Sequence, residues 1–172
     1  GNVLVRVNTI VVDDFLDNPD VVRNSALQID FKTTGTFPGV RSDAADLSYQ
    51  EMIGDKLDRI FGNMLEYGPV QFRKNMDCFS FQLCLENEKT WIHKDKSQWA
   101  GVLYLTPNAT IDSGTGIFDK DENLITMVGN VYNRMVLYRG DLLHRSIVPG
   151  FGDTPETGRL TQVFFFDHDE VI

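Results

Sequence analysis

Residues 90–106 read TWIHKDKSQWAGVLYLT, and the character of the whole chain can be worked outward from them. His93 and Asp95 are two positions apart, so on a strand over Thr90–Asp95 they point to the same side, as does Trp91. Gly101 to Thr106 forms the next strand and stops at Pro107-Asn108. Downstream, Ser113–Gly116 is a turn before a short Ile117-Phe118 strand. Strands follow at Leu124–Val128 and Arg134–Tyr138. Arg139-Gly140-Asp141 makes a tight turn directly before Leu142-Leu143-His144. Pro149–Gly158 is a polar loop, and Leu160–Asp167 is the last long strand. Upstream, Cys78–Leu85 alternates, with Phe79, Phe81, Leu83 and Leu85 on one face, and Glu86–Lys89 is a polar turn. About eight short strands separated by turns predict a sandwich or barrel.

The N-terminal third differs. Residues 2–12 are rich in Val and Ile and predict a strand. Asn18-Pro19-Asp20 is a helix start, and the helix runs to about residue 30. Residues 33–42 predict a loop. A second helix is expected from about Ser42 to Asn63, where Leu47, Met52, Ile53, Leu57, Ile60, Phe61 and Met64 recur mostly at three- and four-residue gaps. The expected class is mainly β with N-terminal helices (α+β). It forms a single domain over 1–172, in which a lead-in (1–69) packs on a β-core (70–168).

With 172 residues, 42% apolar and 24% charged, the chain can bury a substantial core. It holds no apolar run long enough for a membrane helix. Gly1–Val12 carries no basic stretch followed by an apolar one, so no secretory signal is expected there, and Gly1 in place of Met is expected of a processed chain. The net charge of −9 disfavours nonspecific binding to nucleic acid or an anionic membrane. Cys78 and Cys84, the two cysteines, are too few for a disulfide framework. On one straight strand they would also lie too far apart to bond, so buried thiols in a reducing, cytoplasmic compartment are expected.

Two imidazoles and a carboxylate can occupy one face of an octahedral Fe(II), leaving the other face for a co-substrate and O2. His93, Asp95 and the later His144 supply that set. A lone H-x-D is a weak signal. Here it is joined by His144 and by Gly158-Arg159, which opens the apolar run Leu160–Phe166. A guanidinium beside an apolar strand calls for an anionic partner, and Arg159 can hold a dicarboxylate by a bidentate contact or serve as a salt-bridged strand-end residue. Trp91 and Trp99 are packing residues or, for Trp91, pocket lining. Gln82 reaches the pocket or lies at the surface. His168 is expected in a solvated tail.

The matching stretches are Trp91–Asp95, Gly101–Pro107, Gly114–Phe118, Gly140–Pro149 and Gly158–Phe166. In this order they resemble the Fe(II)- and 2-oxoglutarate-dependent dioxygenases of the prolyl 4-hydroxylase-like branch, over about residues 77–167. The segment VVDDFLDNPDVVRNSAL is similar to the lead-in strand and helix of that branch. The resemblance implies a double-stranded β-helix (jelly roll, cupin-like) with His93, Asp95 and His144 as Fe(II) ligands. Arg159 is implied to bind the distal carboxylate of 2-oxoglutarate, with Tyr104 touching the same carboxylate; Tyr104 reads equally well as a core residue with its hydroxyl satisfied locally. It implies hydroxylation of a peptidyl side chain or small molecule with O2, giving succinate and CO2. Arg159 stands further from His144 than the family commonly spaces it, an excess that fits an enlarged Gly150–Thr157 loop. A non-catalytic β-helix that binds metal or a partner, and a cupin-type metalloenzyme without 2-oxoglutarate, are the other readings. Substrate contacts are expected from loops 33–42, 106–116 and 149–158; the oligomeric state is not legible.

Overall fold

The computed structural model of the chain describes residues 5–31, 33–35, 37–41 and 46–169. Its elements are, in order, β1 (Thr9–Val12), α1 (Pro19–Leu27), β2 (Thr33–Gly35), β3 (Phe37–Arg41) and α2 (Leu47–Asp58). Helix α2 runs on into a π-helical turn (Arg59–Met64). Then come β4 (Val70–Phe72), β5 (Phe81–Cys84), β6 (Trp99–Tyr104), β7 (Thr115–Phe118), β8 (Leu124–Val128), β9 (Met135–Arg139), β10 (Leu143–Ser146) and β11 (Arg159–His168). One sheet is ordered β1-β9-β6-β11-β5-β3-β2, with β4 pairing to β11, and a second is ordered β10-β7-β8. All pairings are antiparallel. This is the mainly β architecture with N-terminal helices expected above.

Local chemistry explains the helix boundaries. Pro19 fixes the first turn of α1, although Asn18 makes no side-chain capping bond. The Asp46 carboxylate accepts from the Tyr49 amide at 2.9 Å, so α2 starts at Leu47 rather than near Ser42. Residues 42–45 of the expected helix lie outside the described residues, as do residues 2–4 of the expected first strand.

Three expectations on strands change. The 33–42 stretch is not a loop: β3 pairs with β5, placing Val40 opposite Leu83 and Arg41 opposite Gln82. Its Gly and Pro argued for a loop, but Gly39 adopts φ +67 directly over the Leu83 carbonyl oxygen, where a Cβ would sit at 2.2 Å. Second, the 78–85 alternation shortens to Phe81–Cys84, and all four residues are buried, because that strand is covered on both faces. Cys78 therefore precedes the strand rather than sharing a face with Cys84; both are buried free thiols. Third, Thr90–Asp95 is not a strand. It touches the second sheet through one bridge, His93 to His144.

The core lies between the large sheet and the helices. On β11, Phe164 and Phe166 pack on Phe79 (5.4 Å between ring centroids) and Phe61 (5.3 Å). The intervening Phe165 faces the opposite side and lines a cavity between the two sheets. Three adjacent Phe thus serve two layers.

Candidate functional site

The His93–His144 bridge is a reciprocal pair of backbone hydrogen bonds, 3.0 Å in each direction, that sets the two imidazoles side by side with centroids 4.4 Å apart. Asp95 is held from the other side, since its amide donates to the Gly140 carbonyl at 2.8 Å. The carboxylate then reaches both rings: Asp95 Oδ2 lies 2.9 Å from His144 Nε2, and Oδ1 lies 3.7 Å from His93 Nε2. One donor atom from each of the three residues falls within 4.8 Å of the others. The tight turn at Gly140 is part of this frame. A methyl there would lie 2.1 Å from the Ser97 carbonyl oxygen. Gly140→Ala is expected to force the 95–97 and 140 backbones apart and to destabilise the protein by about 1–3 kcal/mol, read as a drop in thermal midpoint.

The imidazoles are pre-oriented. His93 Nδ1 lies 3.0 Å from the Trp91 carbonyl oxygen, and His144 Nδ1 lies 2.7 Å from the Leu142 carbonyl oxygen. A carbonyl only accepts, so each Nδ1 carries the proton and each Nε2 presents a lone pair. His144 Nε2 is buried and makes no hydrogen bond. A buried nitrogen lone pair with no donor is costly in itself, and with a carboxylate beside it the set suits a divalent cation.

Burial holds His93 below its ordinary value of 6.5, despite the Trp91 carbonyl, which pulls the other way. The unfolded chain therefore binds a proton on this ring at a higher pH than the folded chain does. Stability of the metal-free protein is expected to fall as pH drops from 6.5 through that lowered value. Melting in EDTA across this range checks it, and His93→Gln should flatten part of the slope.

Arg159, at the start of β11, is 3% exposed. Its Nε donates to the Ser113 carbonyl at 3.0 Å, and among the described residues no carboxylate pairs with it. It lines the same cavity as the His/Asp/His cluster. Tyr104 stands behind it, with the guanidinium 5.8 Å from the ring centroid and the hydroxyl 2.5 Å from Thr115 Oγ1. Trp91 is at the cavity rim, 41% exposed, whereas Trp99 is wholly buried against Phe61. The enlarged loop before Arg159 is pinned from both sides: Phe151 N donates to the Cys84 carbonyl, and Arg23 donates to the Glu156 carbonyl at 2.9 Å. His168 is not in a solvated tail; it ends β11 and stacks on Tyr67 at 4.1 Å.

Sequence reasoning missed two cavity residues, Tyr138 and Arg41, and left Gln82 open between pocket and surface. Tyr138 on β9 is buried with its ring 4.5 Å from that of His144, and burial, aided by the Asp95 charge, raises its hydroxyl well above the ordinary range. Arg41 and Gln82 enter from β3 and β5. Gln82 was legible as a polar position in an apolar strand; Arg41 was hidden by the loop reading of its segment. The cavity encloses about 810 Å³, inside the range of roughly 300–1,000 Å³ for small-molecule sites.

Residues 5–129 and 120–166 match the sequence profile described as "Family of unknown function (DUF6445)". The chain belongs to the DUF6445 family. No curated protein matches this DUF6445 member. Among solved structures, it is similar to a Pseudomonas putida prolyl-4-hydroxylase at TM-score 0.65 and 16% identity, covering 92% of this chain and 91% of that one. It is similar to a 2OG-Fe(II) oxygenase family protein from Burkholderia pseudomallei at 0.66 and 15%, covering 95% and 86%. A third, HygX from Streptomyces hygroscopicus with nickel, 2-oxoglutarate and hygromycin B bound, matches at 0.65 and 11%, covering 92% and 81%. The DUF6445 member thus has the double-stranded β-helix fold of the 2OG-Fe(II) oxygenases, prolyl 4-hydroxylase-like branch included. Among its described residues no helix is long and apolar enough to cross a membrane.

Proposed function

We propose that this DUF6445 member is an Fe(II)- and 2-oxoglutarate-dependent dioxygenase that hydroxylates a small molecule or a peptidyl side chain. The observation that carries the reading is the buried, bond-free Nε2 of His144, facing Asp95 at 2.9 Å with His93 on the paired residue. His93, Asp95 and His144 would hold the iron. Iron, 2-oxoglutarate and O2 together supply an oxidation in which one oxygen enters a substrate C–H bond and the other enters succinate, with CO2 released. The protein's own groups do the positioning. The Trp91 and Leu142 carbonyls fix the imidazoles. Arg159 takes the distal carboxylate of 2-oxoglutarate, and the Tyr104 ring and Thr115 hydroxyl support that end of the cavity. Tyr138, kept protonated by burial, can donate a hydrogen bond but not accept a proton. A reducing, cytoplasmic setting goes with this reading, since Cys78 and Cys84 stay thiols there.

Anaerobic titration with Fe(II) and 2-oxoglutarate tests it. A weak visible charge-transfer band is expected, absent in His93→Ala; no band in the wild type refutes the proposal. Arg159→Met is expected to weaken 2-oxoglutarate binding about 100-fold, since two charge-assisted hydrogen bonds are lost. The same change should cost the metal-free protein no more than about 1 kcal/mol, because the lost hydrogen bond to the Ser113 carbonyl is offset by removal of a buried guanidinium that no carboxylate among the described residues pairs with. Wild-type affinity for 2-oxoglutarate in that variant would make the anchor assignment wrong.

A further inference from the structure

The cavity contains a second buried guanidinium that the co-substrate does not need. The Arg41 side chain is 12% exposed and lies over the Phe37 ring at 4.0 Å, with Phe165 at 5.7 Å. Gln82 fixes its direction: the Gln82 amide donates to the Pro38 carbonyl at 2.7 Å, which turns Oε1 toward Arg41 Nε at 3.2 Å. Arg41 is near enough to the cluster for its charge to act on both Asp95 and His93. Among the described residues its carboxylate contact is a single 3.6 Å approach of Nη1 to Asp77, which is half exposed. That is a poor match for a buried guanidinium, which ordinarily takes a bidentate carboxylate.

Charge bookkeeping points the same way. The chain carries −9, yet Arg41, Lys94, Lys96 and Arg159 line the cavity against Asp77 and Asp95. Arg145 also borders it, with its guanidinium 5.5 Å from the Phe118 ring. A divalent ion with Asp95, and dianionic 2-oxoglutarate with Arg159, together carry no net charge. Arg41, Lys94, Lys96 and Arg145 then stand against Asp77 alone, a positive mouth on an acidic protein.

Resting on the reading above, we infer that Arg41 selects the prime substrate by pairing with a carboxylate on a small organic acid, whose apolar body packs against Phe37 and Trp91. The fork of a guanidinium lying over the Phe37 ring suits a planar carboxylate.

The test uses full-length protein loaded with Zn(II) and saturating 2-oxoglutarate, and calorimetric titration with 3-phenylpropanoate and its neutral match, 3-phenylpropanamide. The acid is expected to bind about tenfold tighter than the amide. Arg41→Leu should abolish that preference, Arg41→Lys should keep part of it, and 2-oxoglutarate affinity should stay within about twofold in both. Equal binding of acid and amide by the wild type overturns the inference. So does an Arg41→Leu loss of 2-oxoglutarate affinity as large as that of Arg159→Met, which would make Arg41 the co-substrate anchor. Should the Fe(II) charge-transfer band be absent, the oxygenase reading fails separately; the acid-over-amide preference of the metal-free protein then decides for or against Arg41.

Discussion

His144→Ala is expected to weaken divalent-metal affinity by more than about 100-fold, beyond the usual cost of losing a group that merely supports a ligand. The charge-transfer band with Fe(II) and 2-oxoglutarate should vanish with it. His144 is the best buried of the three proposed ligands, its side chain 3% exposed against 14% for Asp95 and 38% for His93. Water cannot easily replace it from bulk solvent. Its Nε2 has no hydrogen bond to lose and its Nδ1 gives up the one to the Leu142 carbonyl, so the metal-free variant should still fold, with a loss of about 1–3 kcal/mol. That separates a ligand from a folding residue. The chain has three histidines, and the third supplies the control: His168→Ala removes a ring stacked on Tyr67 and should leave metal affinity unchanged. Titration with Zn(II) against a competing chelator reads both variants. An alanine at 144 that binds zinc as the wild type does would remove the basis of the oxygenase proposal.

Phe61→Ala should give the largest loss of stability, about 3–5 kcal/mol, through both lost burial and the cavity left behind. Phe61 is fully buried and meets Trp99 edge-on at 4.9 Å and Phe166 edge-on at 5.3 Å. Each such pair adds roughly 0.5–1.5 kcal/mol beyond area burial. Its position matters as much as its size, because the π-helical turn Arg59–Met64 drops it onto the sheet where β6 and β11 adjoin. The surroundings are rings and sheet backbone, which cannot collapse far into the void. Denaturant unfolding measures the loss. Phe61→Leu should recover more than half of it, and an unchanged midpoint in Phe61→Ala would mean that the helical layer does not hold the sheet.

Much of this was legible in the chain and some was not. The Asn18-Pro19 helix start, the long apolar β11 and the order of the β-strands follow from periodicity and turn chemistry, which are local. The 33–42 segment was misread because its Gly and Pro are local loop signals, whereas its pairing with β5 is a tertiary fact; Arg41 was lost with it. Thr90–Asp95 was misread in the other direction. Its residues suit a strand, but among them only His93 makes a β-bridge. Tyr104 was read either as touching the co-substrate carboxylate or as a core Tyr with a locally satisfied hydroxyl. Its hydroxyl lies against Thr115 and its ring near Arg159, a placement that depends on what β7 brings opposite β6 and that no spacing encodes.

By itself, the order of residues supplied the candidate groups: two imidazoles, a carboxylate and a guanidinium in one β-rich region; what sets His93 and Asp95 together is the bridge to His144 and the Asp95–Gly140 hydrogen bond rather than strand alternation. Tertiary structure alone decided which nitrogen each imidazole presents, that Arg159 is buried with no carboxylate paired to it among the described residues, and that Arg41 and Tyr138 share the cavity. The physical reason is that ligand type and local phase are properties of short segments, whereas burial, carbonyl partners and the meeting of distant strands exist only after the two sheets close on each other.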